Sequence, residues 1–199
     1  MIIYGFTGYK GTGKDTAARI MAGILADTGQ AKSVRRVAFA DNLKLIAGHA
    51  FGRSYSSSDE AVLAHMNAYK NGGTISGFDG SGERLFGTTY RKYLQDFGLA
   101  AREIIGADVW LDAALPTAAA DLEWRYPNTD ALLVTDVRFP NECARLQALD
   151  GKLIEIVREG CRPDGHASEN GVDKEYIAFT VPNNGTREEL ETTLREVVA

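Results

Sequence analysis

The chain has 199 residues with 22 Lys plus Arg against 27 Asp plus Glu, a net charge of −5, and at roughly 150 residues per domain that means one domain with room for an appended flap. Its 44% apolar and 25% charged residues exclude wholesale disorder, and the acidic balance argues against a protein that coats nucleic-acid phosphates. Two cysteines, Cys143 and Cys161, are too few for a disulfide framework or a cysteine zinc site, and no apolar run approaches the roughly 20 residues of a membrane span, so a cytoplasmic protein is expected, with neither nucleic acid nor membrane as partner.

Ile2 to Thr7 is a short apolar run, which predicts a strand buried on both faces of a parallel sheet. A glycine-rich turn follows, and from Lys14 the period changes. Ala17, Ile20, Met21, Ile24 and Leu25 recur at helical spacing, with Gly29 just past the expected end. A second unit repeats the order, with a strand over Val34 to Phe39 and a helix from about Asn42 to Phe51, for which Asp41 is the expected N-cap.

Between Gly52 and Gly87 the composition shifts to seven glycines and six serines, with a helix expected only around Glu60 to Tyr69. The segment reads as a mobile insertion at about 52–87 within one domain spanning 1–199; a linker and a lid both fit it. Helical pattern resumes with Tyr90, Tyr93, Leu94, Phe97, Ala101, Ile104 and Ile105, opposite Arg91, Gln95 and Arg102. Gly106 ends that helix, and Asp108 caps the next, which runs through Trp110 to Leu115. Ala131 to Thr135 predicts a second core strand with Asp136 at its carboxyl end. Pro140 suits the first turn of the following helix and Gly151 its C-terminal cap. Strands over Leu153–Val157 and Ile177–Val181 come next, then a helix opened by a Thr186–Glu189 capping box. Strands alternating with helices predict an α/β fold: a parallel sheet of about five strands with helices on both faces, and ligands at the carboxyl ends of the strands.

The strongest chemical signal is GYKGTGKDT, Gly8 to Thr16, set between a predicted strand and a predicted helix. Glycines let backbone N–H groups curl around phosphate oxygens, the helix N-terminus adds its dipole, and Lys14 reaches the β and γ phosphates. Gly8, Lys10, Gly11, Thr12, Gly13, Lys14, Asp15 and Thr16 are therefore the candidate cradle. The generic motif has Ser or Thr directly after the lysine. Here Asp15 intervenes, so Asp15, Thr16 and Asp136 all stand as magnesium candidates. The alternative reading of Asp136 is a helix or turn cap, that of Arg138, a candidate phosphate clamp, is a surface partner of Glu142, and that of Trp110, a candidate substrate contact, is plain core. Phosphoryl transfer needs more cations than one lysine and one metal ion, and Lys44, Arg91, Arg138, Arg158 and Arg162 are the candidates. The polar loop from Cys161 to Glu169 holds Arg162, His166 and Glu169 and reads as a lid or a solvated loop, not a zinc site.

A hydroxyl displaced by one position is the pattern Gly-x-x-Gly-x-Gly-Lys-x-Thr of adenylate kinase and related P-loop nucleoside monophosphate kinases. The form GKDT resembles more closely the bacteriophage deoxynucleoside monophosphate kinases. Further segments agree in order: FADNLK at Phe39 to Lys44, YRKYLQDFG at Tyr90 to Gly98, ADVW at Ala107 to Trp110, TDVRFPNE at Thr135 to Glu142 and PNNGT at Pro182 to Thr186. The resemblance implies a P-loop fold, ATP and Mg2+ as cofactors, and a nucleoside monophosphate acceptor, in particular a deoxynucleotide. It places Lys44, Arg91, Trp110, Asp136 and Arg138 on the acceptor, with Lys14, Asp136 and Arg138 catalytic. Arg158, Asn183, Asn184 and Gly185 fall to the donor, and a homodimer in the cytoplasm, the host's if the protein is viral, is implied too. Two other readings share the cradle. One is a P-loop kinase of another small phosphate acceptor, such as a coenzyme precursor. The other is a GTP-binding switch, which would want Asn-Lys-x-Asp, absent here, and Asp-x-x-Gly at a strand end, whereas Asp79 to Gly82 falls inside the insertion.

Overall fold

Alternating apolar runs and amphipathic helices need one another, because a strand apolar on both faces is stable only when helices cover each side. A computed structural model of the chain, which describes residues 1–50, 58–69, 74–78, 84–162 and 171–199, shows that arrangement. In chain order the elements are β1 (Ile2–Thr7), α1 (Lys14–Asp27), β2 (Val34–Val37), α2 (Phe39–Ala50), α3 (Asp59–Tyr69), β3 (Thr74–Phe78) and β4 (Arg84–Thr89). Then follow α4 (Tyr90–Ile104), α5 (Val109–Ala114), α6 (Leu122–Arg125), β5 (Ala131–Val134), α7 (Pro140–Ala148), β6 (Lys152–Val157), β7 (Ile177–Pro182) and α8 (Arg187–Val198). They fall into two units, one of Met1–Phe39 with Ala114–Ala199 and one of Ala40–Ala113.

The first unit is a five-stranded sheet in the order β2-β5-β1-β6-β7. Every pairing in it is parallel, with Gly5 beside Val134 on one flank and beside Leu153 on the other. Alternation along β1 divides the side chains. Tyr4 and Phe6 join Met21, Ile24 and Leu25 of α1 and Leu190 and Leu194 of α8 in one core. On the opposite face a Cβ at Gly5 would lie 2.4 Å from Leu146 Cδ2, so α7 rests directly on the strand's backbone there. Each fully buried aliphatic or aromatic side chain stabilises the layers by about 1.5–3 kcal/mol. From β1 the chain passes to the β2 edge and from β5 to the β6–β7 edge, which makes the carboxyl end of β1 a topological switch point.

Boundaries differ from the sequence reading most at β2, α2 and the end of α7. Strand β2 ends at Val37 and α2 begins at Phe39, three residues before Asn42, so Asp41 is inside the helix and is not its N-cap. The amide of Phe39 instead donates to Asp136 Oδ1 at 2.8 Å, a cap supplied from β5 across the sheet. At the end of α7 the left-handed residue is Asp150 (φ 56), not Gly151. Gly151 N–H closes the turn on Leu146 O at 2.8 Å and Asp150 N–H bonds Gln147 O at 3.0 Å, a Schellman motif in which glycine is required by crowding against Leu146. The Thr186–Glu189 box forms as expected, with Thr186 N–H donating to Glu189 Oε2 at 2.7 Å and Glu189 N–H to Thr186 Oγ1 at 3.2 Å.

The second unit contains part of the expected 52–87 insertion; its residues 52–57, 70–73 and 79–83 lie outside the described residues. The expected helix is α3, but β3 and β4 form an antiparallel hairpin, Thr74 beside Thr89, that the glycine and serine content had hidden. Thr89 caps α4, accepting from Lys92 N–H at 3.2 Å. Ala47, Val62, Met66 and Leu94 form this unit's core. Among the described residues no helix is long and apolar enough to cross a membrane.

Candidate active site

The Gly8–Gly13 loop leaves the carboxyl end of β1 and enters α1 at Lys14. Its glycines are set by geometry. Gly8 has φ 133, and a Cβ there would come within 2.3 Å of Ile156 O. Gly13 has φ 96 and ψ 22, and its Cβ would fall 2.4 Å from Asn183 Nδ2. Only a residue without a side chain fits either place. Thr12, buried at 1% exposure, donates its hydroxyl to Tyr9 O at 2.9 Å and so folds the loop on itself. The first intrahelical bond of α1 runs from Ala17 N–H to Gly13 O at 2.9 Å. The preceding amides of the first turn lie at the positive end of the helix dipole, where a phosphate oxygen is stabilised.

Lys14 Nζ donates to Gly8 O at 2.5 Å and Tyr9 O at 2.8 Å. Its ammonium therefore lies against the loop it is expected to serve. Asp15 is exposed in the first turn of α1, and Thr16 beside it is half-buried. Across the sheet, Val137 N–H donates to Phe6 O at 3.1 Å and Thr135 N–H to Val37 O at 3.0 Å, so the exit of β5 stays next to the exit of β1. Asp136 and Arg138 are thereby carried to the edge from which the cradle springs. Asp136 makes the cap to Phe39 described above. Glu142 Oε2 accepts from Arg138 N–H at 2.7 Å and from Phe139 N–H at 3.1 Å. Glu142, 2% exposed, thus fixes the backbone that presents Arg138. The sequence signal for it was a glutamate at the third position of a helix opened by Pro140.

On the other flank, the residues following β6 and β7 close on the cradle. Asn183 Nδ2 donates to Thr12 O at 2.8 Å, and Glu159 N–H donates to Asn184 Oδ1 at 2.8 Å. Cys161 Sγ sits 3.6 Å from where a Gly11 Cβ would be. Lys10, Arg158, Arg162, Asn184 and Gly185 are exposed around this rim. His166 and Glu169 lie outside the described residues.

Lys44, Arg91 and Trp110 belong to the second unit. Lys44 is 8% exposed and its ammonium is 3.0 Å from Asp41 Oδ1. Arg91 is half-buried in the first turn of α4. Trp110, 6% exposed, donates its indole N–H to Gly98 O at 3.0 Å and packs against Phe97, so it is a core residue of that unit.

No family model matches the sequence. A curated protein of Acanthamoeba polyphaga mimivirus, named "Putative deoxynucleotide monophosphate kinase", is 30% identical over 207 residues, which cover 95% of this chain and 92% of the relative. The chain belongs to the nucleotide monophosphate kinase family. Nucleotide kinase activity and a nucleotide substrate follow from that membership, and ATP with a divalent metal is the general requirement of such kinases. The similarity is to a protein of a mimivirus, so it supports the kinase family and gives no support to the bacteriophage source in the sequence resemblance.

Proposed function

We propose that this nucleotide kinase transfers the γ-phosphoryl group of ATP to the phosphate of a nucleoside monophosphate, with a deoxynucleotide as acceptor. The observation that carries the reading is the Gly8–Thr16 cradle, positioned at the switch point of the sheet with Lys14 at the mouth of α1. The cradle suits a polyphosphate because Gly8, Gly11 and Gly13, all at positive φ, let the loop curl so that backbone N–H groups can surround an anion. Lys14, Asp15, Thr16 and Asp136 are the residues that would hold the triphosphate and its magnesium ion, which when bound neutralises charge on the phosphates. Arg158, Asn183, Asn184 and Gly185 are assigned to the donor, and Lys44, Arg91 and Arg138 to the acceptor, on the family resemblance.

In the reaction an acceptor phosphate oxygen, already ionised at neutral pH, attacks the γ phosphorus. The bond from that phosphorus to the β–γ bridging oxygen breaks, and ADP leaves with the electron pair. No proton has to be removed, so alignment and charge neutralisation by Lys14 and Arg138 suffice. The resemblance makes a homodimer in the cytoplasm part of the same proposal, and light scattering measures the dimer.

A coupled ADP-release assay over the common ribo- and deoxyribonucleoside monophosphates tests the reading. ADP release that depends on a monophosphate is expected. Release that no monophosphate stimulates would overturn it in favour of a nucleotide-binding switch.

A further inference from the structure

We propose that Asn183 is a positioning residue of the phosphate cradle: it holds the Thr12–Gly13 peptide so that the Gly13 N–H faces the bound phosphates. The inference rests on the nucleotide-kinase reading and gives Asn183 a task other than the nucleoside contact that the family resemblance implies.

The argument starts from the peptide unit. A trans peptide is planar, and its C=O and N–H point in opposite directions. Asn183 Nδ2 donates to Thr12 O at 2.8 Å, so that carbonyl is turned towards the β7–α8 loop and the Gly13 N–H is turned away from it. A flip of this peptide rotates ψ of Thr12 and φ of Gly13, and glycine occupies φ of either sign at little cost. The glycine at 13 therefore leaves the orientation of the Thr12–Gly13 peptide open to a flip. Flipped, it would aim a carbonyl oxygen at an anion in place of a donor.

Asn183 is well placed to prevent the flip. Its own N–H donates to Val157 O at 2.8 Å, which ties it to the end of β6. The next residue, Asn184, accepts from Glu159 N–H at 2.8 Å, a second tie to the same strand end. The amide is close enough that any Cβ at Gly13 would meet it at 2.4 Å, so with the brace in place glycine is the residue that fits there. Rigid strand ends thus hold a loop whose own residues are permissive.

Isothermal titration of the full chain with inorganic tripolyphosphate and with ATP tests this, for wild type, Asn183→Ala and Asn183→Asp. Losing one hydrogen bond that orients a phosphate donor predicts that Asn183→Ala weakens both ligands by the same factor, about fivefold to tenfold. Asn183→Asp should lose more, because a carboxylate cannot donate to Thr12 O and adds negative charge. In steady-state assays KM for ATP should rise while KM for the monophosphate stays unchanged, a split that general loosening of the fold would not produce. Weaker ATP binding with tripolyphosphate unaltered would overturn the inference and make Asn183 a nucleoside contact. Unaltered binding of both ligands, or loss of the circular dichroism signal in both variants, would overturn it as well. A wild type that binds neither ligand would overturn the kinase reading itself.

Discussion

Lys14 shows how one residue can stabilise a loop in one state and serve phosphates in another. Its ammonium lies on Gly8 O and Tyr9 O, and an arriving phosphate would offer it charged oxygens in their place. Lys14→Ala should leave circular dichroism unchanged and lower turnover at least tenfold, equivalent to about 1.4 kcal/mol of barrier; retention of more than a tenth of the activity would exclude its catalytic role. Asp136 separates differently, since its Oδ1 caps α2 through Phe39 N–H. Asp136→Asn keeps an acceptor oxygen and loses the charge, so turnover should fall steeply with stability little changed. Asp136→Ala should in addition cost about 1 kcal/mol in urea unfolding. Equal activities per folded molecule in wild type and Asp136→Asn would reduce the residue to a cap. Asp130 is another carboxylate that accepts from main-chain N–H groups, those of Lys32 at 2.8 Å and Ser33 at 2.9 Å. The backbone N–H groups of Ser33 and Lys32 hold its carboxyl below the ordinary 3.8. A folded-state value lowered in this way adds stability above 3.8 that is lost as pH falls through the folded value. The melting temperature of Asp130→Asn should thus lie below wild type at pH 6, and the gap should close on acidification below pH 3.8.

At the scale of elements, contact between layers is most demanding where α7 crosses β1. Gly5→Val would drive a side chain into Leu146, whose Cδ2 is already 2.4 Å from an ideal Cβ at residue 5. Overpacking of this kind costs about 1–3 kcal/mol, so the variant should melt several degrees lower, about 2–4 °C per kcal/mol in a chain of this size. An unchanged melting temperature would mean that α7 yields freely. Periodicity made α1 and α4 legible in the sequence because each buries one continuous stripe, Pro140 marked the first turn of α7, and the capping box at Thr186 marked the start of α8 to the residue. The hairpin of β3 and β4 was not legible, because its glycines and serines interrupt the alternation that signals a strand. The start of α2 was misplaced for a related reason: its cap comes from Asp136, far along the chain, and a local search finds the nearer Asp41 instead.

For the whole molecule, the family assignment turns into a statement about substrates. If the acceptor is a deoxynucleotide, specificity constants for matched deoxy and ribo pairs should differ in favour of the deoxy form. The ratio should stay within about 100-fold, because packing alone rejects one extra hydroxyl only modestly. Equal constants would point to a kinase of general or coenzyme-like acceptors. What the amino-acid sequence determined by itself was carried by neighbours along the chain. The Gly8–Thr16 cradle, the strand and helix that flank it, and the alternation that forces a parallel sheet all depend on residues within one or two turns of each other. The tertiary structure alone decided the strand order β2-β5-β1-β6-β7, and with it the long-range partners. Asn183 reaches Thr12 across 171 residues, and Asp136 reaches Phe39 across 97. A short-range pattern encodes period and turn, whereas these contacts depend on which strand ends the folded sheet makes adjacent.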